Sequence, residues 1–148
     1  MSKSTICHSL TLQSEPSAIN GVCRNILSEL KESQYNPEDI FAIRLALEES
    51  FINALKHGNN MDPSKEIKIN YSIGNDKVEI TMTDQGDGFD PDSVPDPRRK
   101  ENLYKASGRG LFLIMAYMDE VKFNKKGNSL YMVKYKKKCF AAKDRVSR

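Results

Sequence analysis

At 148 residues, with 39% apolar and 29% charged residues, the chain has the balance of a globular domain and enough length to bury a core. Lys and Arg exceed Asp and Glu by only 23 to 20, and much of that excess sits in Pro97–Lys100 and Lys134–Lys138. A global attraction to nucleic acid is therefore not implied, and a local basic patch is left open.

Cys7, Cys23 and Cys139 are too few and too far apart for a disulfide framework or a zinc site, and read as reduced thiols. No charged-then-apolar leader opens the chain, and no apolar run approaches the roughly 18 residues needed to cross a bilayer. The expectation is one cytoplasmic domain over residues 1–148, with a core from about 9 to 137 and a basic tail over 138–148.

Ser9–Gln13 alternates as a strand does, and the Ser14–Ser17 stretch breaks it with a Pro placed where a helix can begin. From Ser17 to about Gln34, Ile19, Val22, Ile26, Leu27 and Leu30 recur at helical spacing. A second helix starts at Asn36-Pro37-Glu38, a capping Asn followed by Pro in the first turn. Glu66–Ile73 and Lys77–Thr83 alternate on either side of Gly74-Asn75-Asp76, the pattern of a hairpin. Asp84 to Gly110 is a long segment rich in Gly, Pro, Asp and basic residues, of the kind usually given to function or disorder. Gly110–Met118 reads as an apolar helix, and Glu120–Asn124 and Ser129–Lys136 as strands across a turn containing Gly127-Asn128. The last ten residues read as a frayed tail. This order predicts an α+β fold, a two-layer sandwich of a mixed sheet with helices on one face.

Three short stretches carry chemistry. In the second helix, Glu49 and Asn53 lie about 40° apart, with Ala42 and Ala46 in the same sector, so a carboxylate and a carboxamide form a polar seam beside apolar surface. Burying such a pair is costly unless a metal ion or polar ligand partners it; the plainer reading is a solvated Glu49, or one paired with Lys56, and a satisfied Asn53. Asp84-Gln85-Gly86-Asp87-Gly88 follows a predicted strand, and its glycines let a ligand approach the backbone, although a plain turn or an acidic calcium-like loop has the same appearance. Ser107-Gly108-Arg109-Gly110-Leu111 enters an apolar helix, where exposed N–H groups and the helix dipole suit an anion, and where a simple hinge is the alternative.

Together and in this order the stretches resemble the N, G1 and G2 boxes of the GHKL ATPase superfamily, whose ATP-binding domain has the Bergerat, or histidine-kinase-like ATPase, fold. The short form with ALEESFINALKHGN, DQGDGFDP and GRGLFLIMAYMDEV is similar to the anti-sigma-factor serine kinases of bacteria, over roughly Pro16 to Lys136. The resemblance implies ATP and Mg2+ as cofactors, Asn53 as the Mg2+ ligand and Glu49 as the catalytic base. It implies Asp84 as the acceptor for the adenine amino group, Gly86 and Gly88 as room beside the nucleotide, and Gly108 and Gly110 as phosphate-binding glycines. Ser107, Arg109 and Leu111 fall in the same nucleotide-binding stretch, with Arg109 also a candidate phosphate contact, and Phe89 to Ser107 is the expected lid. His57 and Gly58 are read as ending the helix and shaping the pocket.

The partners implied are a sigma factor and a STAS-type anti-sigma-factor antagonist that receives the γ-phosphate. No nucleic acid or membrane is implied, and there is room for a homodimer. The reading from another class is an ATP-binding interaction module that switches partners by nucleotide state without phosphoryl transfer.

Overall fold

The computed structural model describes residues 5–86 and 108–137. The expected lid Phe89–Ser107, the basic run Arg98–Lys100, Cys139 and the C-terminal tail lie outside the described residues.

The chain opens with β1 (Ile6–Gln13), makes a short 3-10 turn at Pro16–Ala18 and enters α1 (Ile19–Glu32). Ile19, Val22, Cys23, Ile26 and Leu30 are the buried residues of α1, the stripe that a 3.6-residue period puts on one face. α2 (Pro37–Asn53) starts where its sequence starts it: the Asn36 side chain accepts the Asp39 N–H at 2.8 Å, Pro37 needs no donor partner, and Glu38 and Asp39 sit at the positive end of the helix. α2 lies between α1 and α3 (Gly108–Tyr117), which explains buried small residues (Ala42, Ala46, Ser50) beside large ones (Ile43, Leu47, Phe51). The seam's apolar flank is exposed: Phe41 and Ile52 are open to solvent, and the Phe41 ring meets Tyr117 of α3 edge-on at 5.6 Å.

β2 (Glu66–Ile73) and β3 (Lys77–Thr83) form the expected hairpin, and β4 (Glu120–Phe123) and β5 (Ser129–Tyr135) the last one. The strand order is β1-β2-β3-β5-β4. All four pairings are antiparallel, so among the described residues the sheet is not the mixed one that the sequence suggested. The reason lies in the connections. Two helices between β1 and β2 return the chain to the end of the sheet it left, so β2 runs antiparallel to β1. Downstream of β3, the single helix α3 makes β4 parallel to β3, and β5 then inserts between them and pairs antiparallel with both. The α/β sandwich itself stands.

Each strand turns one face to the helices and one to solvent. Ile67, Ile69, Tyr71 and Ile73 of β2 and Val78, Ile80 and Met82 of β3 are buried, while Lys68, Asn70, Glu79 and Thr81 alternate with them on the open face. Ile80 is fully buried between Tyr71 and Met132 on the neighbouring strands. Ile80→Val is expected to cost about 0.5–1.5 kcal/mol of stability, measured as a lower urea midpoint with an unchanged slope.

The described lysines of the run Lys134–Lys138 are absorbed into the fold. Lys134 Nζ donates to the Tyr117 carbonyl at 2.8 Å and Lys136 Nζ to the Ser33 carbonyl at 2.7 Å, while the Lys137 N–H reaches buried Asp39 at 2.9 Å. These lysines tie the last strand to the ends of α3 and α1 and to the start of α2, rather than forming a free basic patch.

Candidate functional site

α2 does not end as an ordinary helix. From Ala54 to Gly58 it widens into a π turn, closed by the Asn59 N–H on the Ala54 carbonyl at 2.8 Å. The helical run ends at His57 and Gly58 as expected, with its last turn wider than an α turn. It places Ser50, Asn53, Ala54, His57 and Gly58 along one wall of a cleft of about 240 Å³. Met82 and Asp84 form the floor at the end of β3, Leu111 of α3 and Phe123 of β4 add apolar surface, and the β4–β5 turn from Gly127 to Leu130 closes the far side. The mixture of apolar walls and a few convergent polar groups is that of a small-molecule site.

Asp84 is the carboxylate of this cleft. Its backbone is fastened to the β4–β5 turn, with its N–H on the Asn128 carbonyl at 2.9 Å and its carbonyl accepting from Asn128 Nδ2 at 3.3 Å. Its Oδ1 accepts the Gly86 N–H at 2.8 Å. Burial raises the Asp84 carboxyl above its ordinary value, prevailing over the Gly86 hydrogen bond and the Lys65 and Lys126 charges, which lower it. A group shifted this way contributes stability at low pH that is lost as pH rises through its folded pKa, so its ionised form is a cost to the fold that a hydrogen-bond donor in the cleft would offset.

Two glycines make the close packing here feasible. A Cβ on Gly58 would stand 2.2 Å from the Asp84 carboxylate, and one on Gly86 2.0 Å from the Gly58 carbonyl oxygen. The nearest neighbour of Gly86 is therefore the turn that ends α2.

The third motif meets the first at the start of α3, which begins at Gly108, two residues before the position read from the sequence. A Cβ on Gly110 would lie 2.8 Å from Glu49 Oε1 and 3.6 Å from Asn53 Oδ1, so the positive end of α3 rests directly on the polar seam of α2. Asn53 lines the cleft, whereas Glu49, one turn back, stands beside it next to Gly110. Glu49 makes no ion pair with Lys56 among the described residues, and Glu48 turns away to pair with Arg44 at 3.3 Å. Gly88 and Ser107 lie outside the described residues, as does the side chain of Arg109.

Ser50, Asn128 and Ser129 line or frame the cleft and were missed by sequence reasoning. Ser50 precedes Asn53 by three positions and was findable from helical spacing. Asn128 and Ser129 read only as a turn and a strand end, since nothing local says that β5 lies next to β3.

The space that Gly110 keeps open between Glu49 and Asn53 is the test of whether Mg2+ fits. No three His, Cys, Asp or Glu side chains are grouped among the described residues, so a cage made wholly of protein ligands is not built there. One carboxamide oxygen, that of Asn53 at the C-terminal end of α2, suits an ion whose other ligands are phosphate oxygens and waters, as Mg2+ prefers. The residues fit.

The model of the histidine kinase-like ATPase domain family matches residues 12–134. The chain is 34% identical to the serine-protein kinase RsbW of Oceanobacillus iheyensis, with 78% of each chain covered. It is 32% identical to that of Listeria monocytogenes serovar 1/2a, covering 68% of this chain and 69% of the relative. It is 29% identical to that of Bacillus subtilis, covering 78% and 77%. Among solved structures, the RsbU and RsbW domains of Rv1364c from Mycobacterium tuberculosis align with a TM-score of 0.60 at 18% identity, a likeness of fold that covers 89% of this chain and 32% of that one. A polar seam on α2, an aspartate at the end of β3 and a glycine entry to α3, within a chain matched along most of its length, make it a member of the histidine kinase-like ATPase domain family, in its branch of serine-protein kinases.

Proposed function

We propose that the chain is an anti-sigma factor that holds ATP in the cleft between α2, Asp84 and α3 and transfers its γ-phosphoryl group to a seryl hydroxyl of an antagonist protein. The observation that supports this reading is the approach of Gly110 to Glu49 and Asn53, which brings the N-terminal end of α3, a carboxylate and a carboxamide oxygen to one point. In the transfer, the bond from the γ-phosphorus to the ADP oxygen breaks and one to the seryl oxygen forms.

Glu49 Oε1 takes the seryl proton and orients the attacking oxygen. Asn53 would hold Mg2+, which would supply charge neutralisation for the phosphates. The N–H groups at Gly108 to Gly110 receive the phosphate oxygens. Asp84 accepts the adenine amino hydrogen, which also offsets the cost of its buried charge, and Leu111, Met82 and Phe123 exclude water from the base.

Glu49 sits at the edge of the cleft rather than in its wall, which leaves it accessible to an acceptor that is a protein and not a second small molecule. A sigma factor is the second partner, released when the phosphorylation state of the antagonist changes. Among the described residues no helix is long and apolar enough to cross a membrane, which accords with a role in the cytoplasm.

The test is phosphoryl transfer itself. Incubated with γ-labelled ATP, Mg2+ and antagonist proteins from the same genome, the chain is expected to place label on a serine of one of them, identified by phosphopeptide mapping. Nucleotide-dependent binding to an antagonist with no label transferred would overturn the kinase reading.

A further inference from the structure

The end of α2, the start of β2 and the turn after β3 meet at one buried side chain that the chemistry above does not use. Asn59 is fully buried. Its Nδ2 donates to Ser14 Oγ at 2.6 Å and to the Glu66 carbonyl at 3.0 Å, and its Oδ1 accepts the Gln85 N–H at 2.8 Å. Gln85 in turn accepts the Glu66 N–H through its side chain at 2.7 Å. Asn59 thus joins the residue after β1, the first residue of β2 and the residue after Asp84, and it closes the π turn that holds Gly58 against the Asp84 carboxylate.

The two residues that follow, Asn60 and Met61, have φ of 53° and 60°, a left-handed conformation that residues other than Gly adopt only where the surroundings hold them. Strain and a saturated buried carboxamide next to one functional carboxylate are more than a loop needs merely to turn. The Asp84–Gln85 peptide is then held from two sides by asparagines, Asn128 Nδ2 on its carbonyl oxygen and Asn59 Oδ1 on its N–H.

We infer that Asn59 is a positioning residue for nucleotide selection: it fixes the turn carrying the Asp84 carboxylate relative to α2, so that the aspartate which reads the nucleobase and the helix which carries Glu49 and Asn53 move as one body. This rests on the reading of the cleft as an ATP site. Without the Asn59 carboxamide, the Gln85 N–H loses its acceptor, the turn carrying Asp84 is free to shift away from Gly58, and adenine recognition weakens while phosphate contacts stay.

The experiment compares ATP with inosine triphosphate, which carries an oxygen where adenine carries the amino group, by calorimetry on the full chain with Mg2+. Asn59→Ala is expected to bind ATP about tenfold more weakly, the scale of one well-placed hydrogen bond, and inosine triphosphate as the parent does. An equal loss for both nucleotides, or no loss for either in the folded variant, overturns the inference. If Asn59→Ala does not fold, Asn59→Asp decides: it retains an acceptor for the Gln85 N–H and gives up the donated bonds, so it should melt at a lower temperature yet keep the parent's preference for ATP, and losing that preference would count against Asn59. Asp84→Asn is the control on the underlying reading. It should abolish the preference by itself, and a parent-like preference there would remove Asp84 as the base reader, a failure distinct from that of Asn59.

Discussion

Glu49→Gln is expected to lower phosphoryl transfer to the antagonist by roughly 10²–10⁴-fold, the range that a positioned base supplies, while ATP affinity stays at the parent value. The substitution is nearly isosteric and leaves Gly110 in contact with a side chain of the same shape. It removes only the capacity to take the seryl proton. Glu49 is half-buried at the edge of the cleft, and Asn53, not Glu49, lines the cavity, so nucleotide contacts should survive the change. Single-turnover transfer and calorimetry on the same preparation separate the two effects. If Glu49→Gln transfers phosphate at the parent rate, Glu49 is not the base, and a module that switches partners by nucleotide state without transfer becomes the better description.

Asn53→Ala should behave differently. Truncation removes the hard oxygen beside Gly110, and even partners one shell behind a metal ligand are worth roughly 10–100-fold in metal affinity, so a direct ligand should cost at least about tenfold in Mg-ATP binding. Turnover falls with it. In EDTA, by contrast, parent and variant should bind free ATP alike, because the lost interaction is with the ion. A loss of equal size with and without Mg2+ would instead place Asn53 against the nucleotide itself. The contrast between these neighbouring residues on α2, one costing turnover alone and the other costing metal-dependent binding as well, discriminates the assigned roles more sharply than either loss.

Much of the fold was legible because it is local. Asn36-Pro37 caps α2, Gly74-Asn75-Asp76 turns the β2–β3 hairpin, and the alternation in Glu66–Ile73 and Lys77–Thr83 marks which side chains face the helices; each is set by neighbours within a few residues. The seam of Glu49 and Asn53 was legible for the same reason, since a helix fixes the angle between positions four apart. The sequence by itself also determined the three motifs and their order.

Only the tertiary structure decided what those motifs do to one another. That the sheet is antiparallel throughout its described strands follows from β5 entering between β3 and β4, a pairing between segments tens of residues apart that no local period encodes. That the helix ends at His57 and Gly58 was legible, but its widening into a π turn over Ala54–Gly58 was not, because that depends on what Asn59 reaches across the fold. Gly58 and Gly86 stand in contacts that no local pattern shows: a side chain on Gly58 would meet the Asp84 carboxylate, and one on Gly86 the Gly58 carbonyl. Long-range contacts of this kind are made by the packing of α2 on the sheet and of α3 on α2, and their geometry exists only once those layers are assembled.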